Sequence, residues 1–174
     1  MPDVEFTSTL FPLLVQERLD VRTVAPGRLA EAIGEGADAV AFSAVQMSSG
    51  EVADLDALVA AAAAAEAITI CDATQALGWL PLNASRFDAV VCGAYKWLMS
   101  PRGSAFLTVS ERLLERAVPH SAGWYAGEDV HASYFGPPLR LAENARRLDL
   151  SPAWFSWVGT EPASADPRPR MRAR

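Results

Sequence analysis

The chain has 174 residues, 51% of them hydrophobic and 21% charged, which fits one globular domain rather than a disordered chain. Its net charge of −6 argues against a nucleic-acid partner, and the four arginines within residues 167–174 conceal a remainder that is more acidic still. No run is long and apolar enough to predict a membrane span, and the acidic N-terminus lacks the positive start of a signal peptide, so we expect a cytoplasmic protein without a membrane partner.

Short apolar strands alternate with helices along the first two thirds of the chain. The hydrophobic pattern predicts helices over residues 6–18, 27–36 and 110–117, and a loop that runs into an alanine-rich helix over residues 48–67. It predicts strands over residues 20–25, 37–45, 68–73, 87–95 and 104–109. This alternation indicates an α/β fold in three layers, in which helices cover both faces of a mostly parallel sheet.

The last two predicted strands are joined by too few residues for a helical crossover. The connection between Tyr95 and Ser104 cannot hold a full helix, so we expect one of these strands to run antiparallel to the others. From residue 119 onward the regular pattern gives way to aromatic, Gly and Pro residues, as in surface loops that pack around a site. We therefore expect one domain over residues 1–160 and a disordered basic tail over residues 161–174.

The cysteines and histidines show no spacing typical of a metal site. Cys71 and Cys92 lie in separate apolar strands, which predicts buried thiols rather than a disulfide framework. His120 and His131 stand among loop residues, with no Cys or carboxylate at ligand spacing. We expect no bound metal.

Lys96 is the only lysine in a chain with 14 arginines, and it stands between Tyr95 and Trp97. Asp72 ends one predicted strand and Lys96 follows the next, so both are expected beyond the carboxyl ends of the strands, where open α/β sheets bind ligands. A partly buried lysine can form an imine with an aldehyde, and a nearby carboxylate can hold a proton on a pyridine nitrogen. A structural ion pair between the two residues is the alternative.

The segment CDATQALGWLPLNASRFDAVVCGAYKWL, residues 71–98, resembles the cofactor segment of class V aminotransferases. These are fold-type I enzymes that use pyridoxal 5'-phosphate (PLP), and they include cysteine desulfurases and kynureninases. Asp72, Gln75 and Lys96 match the spacing of the family motif, and SPRGSAFL resembles the glycine turn that follows its lysine. The resemblance extends over residues 3–158 and implies an incomplete fold-type I large domain.

The resemblance implies a role for each motif residue. Lys96 would hold PLP as an internal aldimine and later carry the α-proton of the substrate. Asp72 would pair with the pyridinium nitrogen, and Gln75 would contact the phenolic oxygen of the ring or else cap its own loop. Ser43 would lie over or beside the ring, unless backbone groups satisfy its hydroxyl.

Further positions resemble kynureninases in particular. Phe6 would stack on the cofactor, although a Phe that begins an apolar helix lies in the core by default. Thr7 follows it in the turn near the phosphate, and Tyr95 would reach the phosphate with its hydroxyl. Trp124 matches a Gly-Trp element that approaches the phosphate, in some relatives from the neighbouring subunit.

The sequence also departs from the family pattern. Ala94 stands where relatives often have a phosphate-binding Ser, and no Gly/Ser/Thr phosphate loop precedes the matched segment. The small C-terminal domain of the family is missing after residue 160. We therefore expect exposed apolar faces, weak PLP binding and no turnover by this chain alone.

Three hypotheses for function follow. The first is a PLP-dependent transferase or lyase that acts on a small-molecule substrate, an amino acid, and forms a homodimer. The second is a non-catalytic remnant or interaction module of the same fold. The third is a nucleotide-binding α/β domain without PLP, which the absence of a G-x-G-x-x-G or G-K-[ST] loop disfavours.

Overall fold

A computed structural model describes residues 1–152 of the chain, so the predicted tail over residues 161–174 lies outside the described residues. The helices are α1 Thr7–Leu14, α2 Leu29–Gly34, α3 Leu55–Ala64 and α4 Glu111–Arg116. The strands are β1 Ala39–Ser43, β2 Ile68–Asp72, β3 Ala89–Gly93 and β4 Ala105–Val109. Single 3-10 turns occupy Pro26–Arg28, Ala84–Arg86, Trp124–Ala126 and Ala145–Leu148.

The four strands form one sheet in the order β1-β2-β3-β4. β1 pairs with β2 and β2 with β3 in parallel, while β3 and β4 are antiparallel, as the short connection between them predicts. Ser43 pairs in register with Asp72, and Asp72 with Val91. The carboxyl ends of β1, β2 and β3 therefore meet at one edge of the sheet.

The core lies between the sheet and the pair α2 and α3. Phe42 of β1 is fully buried and packs edge-to-face on Phe87, with 6.1 Å between the ring centroids. Ile33 of α2 and Leu58 of α3 belong to the same cluster. Burial of each of these side chains contributes about 2 kcal/mol to folding.

Two elements remain largely uncovered. α1 buries none of its residues, and the β4 side chains from Ala105 to Thr108 are exposed. Phe11, Phe106 and Leu107 are among the exposed large apolar residues. The expectation of exposed apolar faces is therefore confirmed.

Side-chain caps fix the starts of two helices. Asp54 accepts a hydrogen bond from Ala57 N at 3.0 Å before α3. Ser110 accepts one from Leu113 N at 3.2 Å before α4, at the start of the helix predicted over residues 110–117. None of the helices within residues 1–152 is long and apolar enough to cross a membrane.

Two sequence predictions are wrong. Residues 20–25 do not form a strand of the sheet: Val24 makes one isolated bridge, to Pro2, because only the first few residues of the chain lie beside this segment and Pro2 has no N–H to extend a ladder. The helix predicted over residues 6–18 ends at Leu14, since Pro12 removes one backbone donor and the helix has no buried face to sustain it.

A buried carboxylate organises the amino end of the sheet. Asp88 accepts hydrogen bonds from the backbone and hydroxyl of Thr69, from the hydroxyl of Ser110 and, at 2.8 and 3.1 Å, from the guanidinium of Arg112. Burial alone would raise the pKa of Asp88, but these hydrogen bonds outweigh it and lower the pKa to about 2.

Candidate active site

The loops that follow β2 and β3 pack against each other at the carboxyl edge of the sheet. Thr74 Oγ1 accepts a hydrogen bond from Gly93 N at 3.0 Å, and Trp97 Nε1 donates to Gln75 Oε1 at 3.2 Å. The rings of Trp79 and Trp97 meet edge-to-face at 6.1 Å. These contacts bring the segment after Asp72 against the segment that carries Lys96.

Gly78 allows the two loops to approach this closely. Its φ is +108°, which L side chains rarely adopt, and a Cβ there would lie 3.2 Å from the carbonyl carbon of Trp97. A larger residue would push Trp97 away and strain the backbone. The glycine in the family-like segment therefore serves the packing of the site loops.

Asp72 is the last residue of β2 and is half-buried. Its Oδ1 accepts a hydrogen bond from Thr74 N at 2.8 Å, and its Oδ2 accepts one from the hydroxyl of Thr9 at 3.2 Å. Both contacts orient an oxygen that has a further lone pair. The carboxylate can therefore accept a hydrogen bond from a cationic N–H of a ligand.

Lys96 is half-buried in the turn after β3, beside aromatic rather than acidic groups. Its Nζ lies 5.4 Å from the centroid of the Tyr95 ring, and Arg102 Cζ lies 4.6 Å from the same centroid. Within residues 1–152 it forms no ion pair. The alternative of a structural ion pair with Asp72 is therefore wrong.

Gln75 has the loop contact that the sequence offers as an alternative. Its side-chain oxygen accepts from Trp97 Nε1, and its backbone oxygen accepts from Trp79 Nε1 at 2.7 Å. The amide nitrogen is the group that could donate to a ligand. A cofactor contact of Gln75 stays a prediction.

The N-terminal segment lies across the ends of β1 and β2. Phe6 caps α1 and is 44% exposed, so the default expectation that it belongs to the core is wrong. Thr7, the first residue of α1, is exposed. Ser43, which ends β1, donates its hydroxyl to Glu5 Oε1 at 2.5 Å, so a carboxylate rather than the backbone satisfies this hydroxyl.

Trp124 belongs to a separate aromatic cluster. Its ring packs on Tyr125 at 5.2 Å and on Tyr134 at 4.7 Å. Across residues 1–152, no hydrogen bond, ion pair or ring contact links it to Lys96 or Asp72. Its approach to the phosphate, from this chain or a neighbouring one, stays a prediction.

Two residues of the site were missed from the sequence. Thr9 contacts Asp72, and Glu5 contacts Ser43, yet neither belongs to the family-like motif. The available signal was the run Glu5 to Thr9, an acid followed by an aromatic and three hydroxyl residues directly before and within a predicted helix. Such a run is also typical of a helix start, which concealed its role.

The two thiols are buried, as predicted. Burial, together with the smaller effect of the Asp72 charge, raises the pKa of Cys71 to about 12 and that of Cys92 to about 11. A thiol with such a pKa stays protonated near neutral pH and is a weak nucleophile. Neither cysteine is poised for nucleophilic attack.

Comparison with known proteins identifies relatives of this chain. The family model described as Aminotransferase class-V matches residues 11–163. The apo cysteine desulfurase of Thermococcus onnurineus NA1 is 22% identical with a TM-score of 0.68, over 85% of this chain and 35% of that protein. A cysteine desulfurase of Escherichia coli is 18% identical with a TM-score of 0.75, over 92% and 42%. No curated protein matches in sequence.

A cystine C-S lyase, seen with its product cysteine persulfide, is 19% identical with a TM-score of 0.74, over 94% of this chain and 47% of that protein. A variant of it, 21% identical with a TM-score of 0.65, carries glycine covalently linked to the PLP cofactor. At such identities the likeness shows the fold, which is the predicted fold-type I large domain, and this chain spans less than half of each structure. Because the family model covers most of the sequence, the chain belongs to the class V aminotransferase family.

Proposed function

We propose that this chain supplies the cofactor-binding part of a PLP-dependent enzyme that acts on an amino acid. The observation that carries the proposal is the position of the only lysine: it lies at the carboxyl edge of the sheet, in a segment that packs on the loop of Asp72, without a carboxylate partner among the described residues. An amine that stabilises no ion pair is available for covalent chemistry.

The residues at this edge fit PLP. Lys96 offers the amine for a Schiff base with the cofactor aldehyde, and Asp72 offers an oriented carboxylate for the ring nitrogen. The exposed ring of Phe6 and the amide nitrogen of Gln75 are assigned to the face and the phenolic oxygen of the ring. When bound, PLP supplies an electron sink for the bonds at the α-carbon of an amino acid.

Each residue at this edge then has a separate role. Thr74 N and the Thr9 hydroxyl hold Asp72 in one orientation, so its charge can keep a proton on a ring nitrogen. Lys96, when not bonded to the cofactor, would accept and return the substrate α-proton. The Trp97 contact with Gln75 fixes the turn that carries the lysine.

The phosphate is assigned to the start of α1 and to Tyr95. Helix N-termini favour anions through their unpaired N–H groups and the helix dipole, and Thr7 adds a hydroxyl at the first position of α1. These donors would replace the serine that the family often has where this chain has Ala94. We assign Ser43 to the edge of the ring, with its hydroxyl already held by Glu5.

The substrate class and assembly belong to the same proposal. We propose a transferase or lyase reaction on an amino acid as the small-molecule substrate, a homodimer as the assembled form, and weak PLP binding without turnover by the present 174 residues. A cytoplasmic location stays a prediction.

The test is a titration of the purified chain with PLP, followed by visible absorbance. We expect a saturable band that is absent in Lys96→Ala. The matched control is the double variant Lys96→Ala, Arg116→Lys, which restores one lysine at an exposed position of α4 and should not restore the band. A band that persists in folded Lys96→Ala would refute the role of Lys96. Folded wild-type protein without a band would favour the interaction-module hypothesis.

A further inference from the structure

Glu5 is a buried carboxylate whose observed hydrogen-bond donors are all uncharged. It is 6% exposed, and its two oxygens accept hydrogen bonds from Phe6 N at 2.9 Å, Ser43 N at 2.8 Å, Ser43 Oγ at 2.5 Å and Gln46 Nε2 at 3.0 Å. Four donors on one buried carboxylate are enough to keep it in one position. Among residues 1–152 it takes part in no ion pair.

The helix that follows Glu5 has little else to hold it. α1 buries no residue: Phe11 and Leu14 on it are exposed, and Leu10 and Leu13 are only half-buried. A helix without a buried apolar face gains little from packing, and eight residues are too few for intrinsic stability in water. Its attachment to the sheet therefore depends on polar contacts.

Two of these contacts bracket the start of α1. Glu5, just before the helix, joins it to the end of β1 through Ser43, and Thr9, in its first turn, joins it to the end of β2 through Asp72. Phe6 and Thr7 lie between the two contacts. Their placement relative to the carboxyl edge is fixed from both sides.

We infer that Glu5 is a positioning residue, whose buried carboxylate fastens the segment of Phe6 and Thr7 to the end of β1 and so holds the stacking and anion-binding groups at the cofactor site. The part of this inference that concerns the cofactor rests on the proposed function. Glu5 itself contacts Ser43, Gln46 and the Phe6 backbone, and it acts through them.

A carboxylate suits this position better than an amide. Glutamine has one acceptor oxygen for the donors that now share two, and its NH2 group would face Gln46 Nε2 or the Ser43 donors. Gln46 is 4% exposed and its Oε1 has no partner within residues 1–152, so Glu5 is the one described residue that orients its side-chain amide. Glu5→Gln therefore weakens the attachment without changing its volume.

The experiment compares the full chain with Glu5→Gln, Glu5→Ala and the control Asp3→Asn, which removes the same charge from an exposed position of the same segment. Without cofactor, amide hydrogen exchange over residues 6–14 should become about tenfold faster in both Glu5 variants. Residues 68–72 and 89–93 of these variants should keep wild-type exchange rates, and so should every residue of the Asp3→Asn control. Unchanged exchange at residues 6–14, or equal acceleration in the strands, would overturn the inference.

A PLP titration supplies the second readout. We expect the Kd of Glu5→Gln to rise about tenfold and the visible circular dichroism per bound cofactor to fall, because the ring loses its fixed neighbour. A Kd and dichroism equal to those of Asp3→Asn would overturn the positioning role at the cofactor. Absence of PLP binding in wild-type protein would instead overturn the proposed function. The hydrogen-exchange experiment needs no cofactor, so it tests independently whether Glu5 holds α1 to the sheet.

Discussion

The charged groups at the two ends of the sheet differ in how they are paired. At the amino end, Asp88 has a full set of partners, including the forked guanidinium of Arg112. At the carboxyl end, the described part of the chain gives Asp72 and Glu5 only hydroxyl, amide and backbone donors, and it gives Lys96 no ion pair with an acid. The carboxylates and the amine are near one edge but unpaired.

This difference separates a structural site from a functional one. The amino end satisfies each oxygen of Asp88 with protein groups, which favours folding and leaves little capacity for a ligand. At the carboxyl end, the carboxylates of Asp72 and Glu5 and the amine of Lys96 do not pair with each other. This arrangement favours binding of a group that carries the complementary charges. Variants at the first end should change stability, and variants at the second should change PLP binding.

The largest effect is expected from Asp88→Ala. It leaves the donors of Thr69 and Ser110 without an acceptor, so the free energy of unfolding should fall by about 3 kcal/mol. Urea unfolding of the purified chain measures it. The Kd for PLP of the folded protein should stay at the wild-type value, and a loss of affinity comparable to the loss of stability would erase the contrast between the two ends.

Asp72→Asn should show the reverse pattern. Asparagine keeps the shape and the Thr74 contact but removes the charge that holds a proton on a ring nitrogen, so PLP affinity should fall about 30-fold, or about 2 kcal/mol. Unfolding free energy should change by less than about 1 kcal/mol. Absorbance titration and urea unfolding measure the two quantities, and wild-type affinity in this variant would remove Asp72 from the site.

The pH dependence of stability sharpens the contrast. Because hydrogen bonds lower the pKa of Asp88 from 3.8 to about 2, its contribution is fully present above about pH 4 and is lost as the pH falls toward 2. Since Arg112 is half-exposed, this contribution is at most about 2 kcal/mol. The difference in unfolding free energy between wild type and Asp88→Asn should shrink over that pH range, and a difference that grows on acidification would contradict this reasoning.

The smallest effect is expected from Thr9→Val. It removes the hydroxyl that donates to Asp72 without changing the size of the Thr9 side chain, so PLP binding should weaken by about 1 kcal/mol. Thr9→Ser keeps the hydroxyl and serves as the control. If both variants shift the Kd equally, the hydrogen bond to Asp72 is irrelevant to the cofactor.

Local sequence signals were sufficient for much of the fold and for part of the site. The antiparallel β4 follows from the short connection before Ser104, and α4 from the hydrophobic pattern over residues 110–117. The placement of Asp72 and Lys96 at one edge follows from their positions after consecutive strands.

The remainder depends on contacts between distant segments. The strand predicted over residues 20–25 has a suitable composition but lacks a neighbouring strand of sufficient length. The contacts of Glu5 with Ser43 and of Thr9 with Asp72 arise from the docking of α1, a helix that buries none of its residues. No local pattern encodes such a docking.

The most direct test of the role of Lys96 is borohydride reduction of the chain with bound PLP, followed by peptide mapping by mass spectrometry. The competing amine is the N-terminus of Met1, because burial and the nearby charge of Arg22 lower its pKa and leave it more often unprotonated. We predict one pyridoxyl group per chain, on the peptide that contains Lys96. A label confined to Met1, or none on folded protein, would contradict the account.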